Sequence, residues 1–364
     1  MANPDVAQHC GDNLEGADFR GADLVGRDFA GASAGEANFE GALLEDANLE
    51  NGIFRFAKFD RAVLDGARCA NGDFWGSTFV HAEAQDADFQ GACLRDANMA
   101  GAKLQNADLR RANLHHINLS DADLRGADLT DAVFKGANLS SADLRGASLA
   151  GLRLEACQLD GVMFSGGWLE RTRMTLSQLG GSVGEERVGN FKEAAQSYLA
   201  LEINFRGLGD DDAARWAYCK RRRMGKLCTL EDAVRAFNDR NVSAFFRSSL
   251  LYLVSVAAEV LCDYGESVPR VLRAIVAVYV FTLIAVSASG SLLKAGALGS
   301  ASYAPARDLM DVATYTFMAI ITGAPPAEFK LDGQLANLAV GAVTAAMIVL
   351  LGLLGFVLGN RIRG

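Results

Sequence analysis

The residues with the most to offer chemically lie near the C-terminus, and what they offer is backbone. Ile321-Thr322-Gly323-Ala324-Pro325-Pro326 closes a short apolar segment, Leu309–Ile321, and precedes an uncharged 24-residue run, Leu335–Leu358. A bilayer needs roughly 20 apolar residues at 1.5 Å each, so the run is expected to be a spanning helix. The shorter segment cannot span, and Pro325 and Pro326 deny it helical continuation. A half-length helix ending in a Thr-Gly turn before a full span predicts a re-entrant loop, whose irregular backbone must be buried in protein or line water. The alternative is an extracellular loop helix beside an ordinary anchor. No nucleophile–base pair, phosphate loop or His/Cys cluster of metal-binding spacing appears, so neither an enzyme nor a cofactor is expected.

The elements that carry this loop are uneven in charge. Over the whole chain the net charge is −9. Residues 1–170 hold 27 acids and 14 bases, and the remainder 17 acids and 21 bases. The first half reads as a solvated body and the second suits a membrane surface. Met1–Asp12 is polar and resembles no signal peptide. The seven cysteines end at Cys262 without paired spacing, as expected of reduced thiols.

From Leu14 to Leu169 one position in five is reserved for a large apolar residue, with Ala34, Cys69, Ala84 and Met99 as smaller or softer members. A small residue, usually Ala, sits two positions before each. A period of five fits neither a helix nor a strand and means a solenoid. One large and one small inward residue make one flat side. Four sides close a square coil, and coils stack at about 4.8 Å. The Asp and Asn of each block are turn-side positions rather than catalytic pairs. Ile117, Leu152 and Val162 enlarge the small position and Arg27 charges it, which predicts local bulging. These Ala-Asp/Asn-Leu-x-Gly blocks resemble the pentapeptide-repeat family. The resemblance implies a right-handed quadrilateral β-helix over residues 1–184. Some members of that family are acidic rods that mimic DNA and bind topoisomerases, which makes that role an alternative here.

After the solenoid, residues 171–184 lose the period and are expected to cap it and begin a linker. A helical connector follows at 185–243, with a break at Gly207–Asp210, a second helix over Asp211–Lys226 and a third over Thr229–Arg240 under a Thr229/Asp232 capping box. Lys220-Arg221-Arg222-Arg223 is either a solvated face or a lipid-headgroup site. The acidic body beside it argues against nucleic acid. Residues 244–269 are expected to form an interfacial helix and linker rather than a span, because Arg247 and Glu259 interrupt the apolar run. Arg270 and Arg273 introduce the first span, about 271–289, and the second is about 335–358. Arg270, Arg273, Arg361 and Arg363 place both ends on the cytoplasmic side of a cell inner membrane.

Tyr264-Gly265-Glu266 followed by Arg270-Val271-Leu272 resembles the element that joins a tetratricopeptide-like connector to the channel module of bacterial pentapeptide-repeat proteins. The order span, turret (Gly290–Ala306), short helix, Thr-Gly loop, span resembles a two-transmembrane potassium-channel pore, here residues 270–364 with pore helix and loop 309–326. That resemblance implies a homotetramer in lipid, with Ile321, Thr322, Gly323, Ala324 and Pro325 as the selectivity filter. Glu328 is then a pore-mouth acid or a solvated loop residue. The filter lacks Thr-Val-Gly-Tyr-Gly and stands nearer the Thr-Ile-Gly-Glu-Thr-Pro-Pro of non-selective channels, which implies permeant monovalent cations, potassium or sodium, with weak preference. Gly352, Gly355 and Phe356 are the candidate hinge and gate, or the glycines serve close helix approach. An unknown cytoplasmic regulator on the β-helix, or a membrane-tethered interaction scaffold with a degenerate pore, completes the expectations.

Overall fold

The computed structural model describes residues 13–262, 268–289, 292–295, 303–305, 309–322, 329–331, 343, 345–352, 354–355 and 358. The chain divides into two compact units, Met1–Asp232 and Ala233–Gly364.

The first unit begins as a square solenoid. Each side pairs in parallel with the side twenty residues later, as in Asn38↔Lys58 and Lys58↔Thr78. Only two sides extend to three-residue strands, β1 (Asn113–His115) and β2 (Val133–Lys135). Along each side one residue donates forward and its neighbour backward. Phe39 N–H reaches the Lys58 carbonyl at 2.7 Å, and Lys58 N–H reaches Ala37 at 2.9 Å. At the corner, Ala42 N–H closes a turn on Phe39 at 3.0 Å with Gly41 at φ +65°. Glycine suits that corner position, yet many corners carry other residues there, among them Glu36, Phe56 and Arg61.

The interior follows the five-residue period. Phe19, Phe39, Phe59 and Phe79 stack in one column at 4.9, 4.8 and 4.7 Å, with ring planes within 12° of parallel. Phe54 and Phe74 form a second column at 5.2 Å. Ile117, Leu152 and Val162 are buried at the small position. Pairing runs on beside Ile117 and Val162 through Asn118 and Met163, but among the described residues Arg153, next to Leu152, pairs forward with Arg173 and not back with Val133, so the ladder is interrupted there as a local bulge predicts. Arg27 is half-buried.

The period also outlasts Leu169, a correction to the linker expected at 171–184. Arg153 pairs with Arg173, and Met174 and Leu179 are buried in phase. A 3-10 turn, Leu176–Leu179, then closes the coil. The Gln178 side-chain amide donates to the carbonyls of Leu154 and Cys157, which gives open-ended backbone a partner. Helix α1 (Gly184–Arg187) is a single turn, and α2 (Phe191–Gly207) starts at the Asn190 cap.

Helix α3 runs unbroken over Asp211–Asn238, where two helices were expected. Thr229 does not cap a new helix, because its hydroxyl donates back to the Lys226 carbonyl at 2.7 Å. A threonine inside a helix satisfies itself this way without ending it. Tyr198, Leu201 and Phe205 of α2 and Ala213, Ala217 and Met224 of α3 join the same core as the solenoid.

The second unit contains α4 (Val242–Cys262), α5 (Val268–Ser289), β3 (Leu292–Ala295), β4 (Tyr303–Pro305), α6 (Leu309–Thr322) and β5 (Phe329–Leu331). The strands form an antiparallel sheet in the order β4-β3-β5. The region expected to be a turret, Gly290–Ala306, holds β3 and β4, and β5 lies between the Thr-Gly loop and the final apolar run. Three- and four-residue strands are too short to register an alternating pattern. Val286, Leu292, Val312, Tyr315 and Phe329 make a small core. The described part of the final apolar run is helical, and its Met347 and Leu350 pack with Ala274, Ile275, Val278 and Tyr279 of α5.

Candidate functional site

At the closing end of the solenoid, buried polar groups are satisfied by charges. Glu185 is fully buried. Its Oε1 accepts from Phe164 N–H at 2.9 Å, Ser165 N–H at 2.8 Å and the Ser197 hydroxyl at 2.6 Å. Its Oε2 has no partner among the described residues. Tyr198 accepts from Val183 N–H at 3.2 Å and donates its hydroxyl to Glu186, and burial pushes its phenol well above the ordinary range. Lys220 sits 3.1 Å from both Glu186 carboxylate oxygens and over the rings of Tyr198 and Trp216. Arg221 binds the buried Glu202 at 2.9 Å. Two of the four cations expected at lipid headgroups are thus taken up inside the first unit, where Glu186 and Glu202 would otherwise be poorly solvated. Arg222 and Arg223 are exposed.

Acids and arginines on the solenoid's sides form staples between coils. Arg110 pairs with Asp108 at 2.5 Å and reaches Asp128 in the next coil at 3.9 Å. Arg125 does the same with Asp123 and Asp143, and Arg145 joins Asp143 to Glu193. The hydrogen bond from Arg110 holds the Asp108 carboxyl below the usual carboxylate range. Such a group stabilises the fold above the unfolded aspartate pKa of about 3.9 and loses that contribution as pH falls through its lower folded value. Thermal unfolding followed from pH 6 to pH 3 should therefore show Arg110→Ala losing less with acid than the parent. An unchanged slope would show that the staple does not couple to folding.

In the second unit, α6 ends at Ile321 and Thr322. Gly323, Ala324, Pro325, Glu328 and Phe356 lie outside the described residues. α6 lies against α5, with the Tyr279 hydroxyl reaching the Ala313 carbonyl at 3.4 Å. Lys294 of β3 binds Asp311 of α6 at 2.6 Å and stands over the Phe329 ring. Arg270 donates to the Glu259 carbonyl of α4, and Arg273 to the Pro269 carbonyl. Gly352 and Gly355 are helical, and a Cβ at either would meet nothing within 4 Å. Among the described residues, neither glycine is in close approach to another helix.

The apolar surface of the second unit is extensive. The stretch Val242–Glu259 of α4 is long and apolar enough to cross a membrane by length and composition, and none of it is buried. On α5, Leu272, Val276, Val280 and Ile284 form an exposed row at four-residue spacing beside Phe281. A 22-residue helix reaches about 33 Å.

Residues 13–51, 57–96, 97–136 and 137–175 match the family described as pentapeptide repeats, in eight copies. No curated protein matches the chain. Among solved structures, HetL, a pentapeptide repeat protein involved in heterocyst differentiation regulation from Nostoc sp. strain PCC 7120, is 24% identical, with 46% of this chain and 89% of that one covered and a TM-score of 0.26. Rfr23, a pentapeptide repeat protein from Cyanothece 51142, is 31% identical over 27% of this chain and 64% of its own, with a TM-score of 0.24. Full-length QnrB1, a plasmid-mediated fluoroquinolone resistance protein, is 17% identical over 50% of this chain and 99% of its own, with a TM-score of 0.29.

Proposed function

We propose that this chain, whose residues 13–175 are a pentapeptide-repeat domain, is a membrane-tethered interaction scaffold. The observation that carries the reading is the uncovered apolar row of α5 together with unburied α4. Contiguous apolar surface on that scale marks a membrane or protein contact. Arg270 and Arg273 at the start of α5 support a cytoplasmic side for that end. Membrane lipids are then a partner, and the repeat domain is the binding platform. Carbonate washing of membranes containing the chain tests this: the protein should stay in the pellet, and full release would end the tether. The rod's acidic excess also supports a topoisomerase as its partner, by DNA mimicry. Inhibition of gyrase supercoiling by the full chain is the readout for that variant of the scaffold.

One observation favours a second reading, a homotetrameric channel for monovalent cations. Helix α6 has 14 residues, too few to span, and packs on α5 with its C-terminal end at Ile321 and Thr322. The C-terminal dipole of such a helix favours cations. Gly323 to Pro325 would then form the filter, Glu328 the mouth, and Gly352, Gly355 and Phe356 the hinge and gate. A four-fold mass in nanodiscs with cation current supports this reading, and a monomer excludes it.

A further inference from the structure

Helix α4 turns its apolar side outward. Val242, Phe246, Leu250 and Leu253 share one side of the helix, and each is more than half exposed. The other side, with Ser248, Tyr252, Ser255 and Glu259, is half-buried. A surface helix that meets only water has the opposite polarity, so the exposed row calls for a partner. Between Ala233 and Ala258 the chain holds three bases, Arg235, Arg240 and Arg247, and one acid, Asp239, although its net charge is −9.

The row begins at a tight elbow. After α3, Arg240 takes φ +55°, Asn241 N–H returns to the Ala236 carbonyl at 2.9 Å, and Arg240 N–H returns to Phe237 at 3.1 Å. Asn241 at once caps α4, its side-chain oxygen accepting from Ala244 N–H at 3.1 Å. The two helices therefore meet without a free loop between them. The rings of Phe237 and Phe245 stand 5.8 Å apart, and those of Phe245 and Phe246 5.7 Å. Phe237 and Phe245 line a cleft of about 520 Å³ together with Arg240 and Val242. Arg240 and Arg247 are exposed and make no ion pair among the described residues.

We propose that the elbow and the apolar row of α4 lie in the surface of an anionic phospholipid leaflet. Phe237, Phe246 and Leu250 then sit at the acyl boundary, and Arg240 and Arg247 bind headgroup phosphates. A helix lying in the plane of a leaflet needs this combination, since its apolar side sinks only about 5–10 Å and its cations stay at the headgroups. Charge complementarity selects the anionic lipid, because bases outnumber acids three to one on this stretch. A second copy is the poorer occupant: its α4 row brings the same arginine and no exposed carboxylate to meet it. The proposal rests on the tether reading and adds to it the class of lipid and the lie of α4.

The test places single spin labels at Val242, Leu250 and Ala257, all exposed, in the full chain. Nanodiscs are made of phosphatidylcholine alone or of equal parts phosphatidylcholine and phosphatidylglycerol. In the mixed discs, collisions with oxygen should exceed those with a water-soluble nickel chelate at all three positions, with ratios agreeing within about twofold because the helix lies level. Phosphatidylcholine alone should lower the ratio about fivefold or more, and so should Arg240→Glu with Arg247→Glu in the mixed discs. Lys58→Glu on the rod should leave it within about twofold. Equal ratios in the two lipids, or an equal loss in Lys58→Glu, would overturn the proposal. So would a maximum at Leu250 with low values at both ends, which marks a crossing helix, or dipolar coupling between the labels of two copies. Carbonate washing separates the two ideas. Retention without a response to lipid charge fails the elbow alone, and release of a chain whose α4 still answers to phosphatidylglycerol fails the tether alone.

Discussion

Replacing Phe59 by alanine should cost the rod about 3–5 kcal/mol, the range for a buried phenylalanine whose cavity cannot collapse. Its ring is fully buried, stacked on Phe39 at 4.8 Å and Phe79 at 4.7 Å, and edge-on to Phe54 at 5.8 Å and Phe74 at 6.0 Å. The surrounding backbone is fixed by ladder bonds to the coils before and after it, so the gap stays open. Lys58, one residue earlier, points outward and is exposed. Lys58→Ala should change stability by no more than about 0.5 kcal/mol. Denaturant unfolding of both variants, followed by tryptophan fluorescence, gives the comparison. Equal midpoints would refute the inward and outward assignment. Stability in a stacked array is close to nearest-neighbour, so the loss is expected first in the central coils.

The second large effect is expected at Glu185. Alanine there leaves the amides of Phe164 and Ser165 and the Ser197 hydroxyl without an acceptor in a buried place. Each buried donor left without its acceptor costs about 1–3 kcal/mol, so the closing end should loosen by several kcal/mol. Glu185→Gln keeps a carbonyl oxygen in the same position and should lose about half as much. Hydrogen exchange at the Phe164 and Ser165 amides reads this directly. They should exchange fastest in Glu185→Ala, less in Glu185→Gln and slowest in the parent. Exchange unchanged in Glu185→Ala would show that the carboxylate is not the acceptor that closes the coil.

The solenoid was legible because its period is local: Leu104, Leu109 and Leu114 name the inward side without knowledge of any distant residue. What lies on its surface was not. Lys220 and Arg221 read as a charge run at a membrane because their partners, Glu186 and Glu202, are 34 and 19 residues away. Thr229 shows the limit of capping signals, since the hydroxyl that could open a helix also bonds back inside one. The length of α6 and its stop at Thr322 were readable from the prolines that follow, whereas the small sheet of β3, β4 and β5 left no periodic trace.

The membrane tether is tested most directly by spin labels placed singly at Val276, Val280 and Ile284 on α5, with the full chain in lipid nanodiscs. Those side chains are exposed in the isolated chain and form one row along the helix. The account predicts collisions with dissolved oxygen well above those with a water-soluble nickel chelate at all three positions, and the reverse at Lys58 on a side of the solenoid. Greater accessibility to the chelate than to oxygen along the α5 row would contradict it.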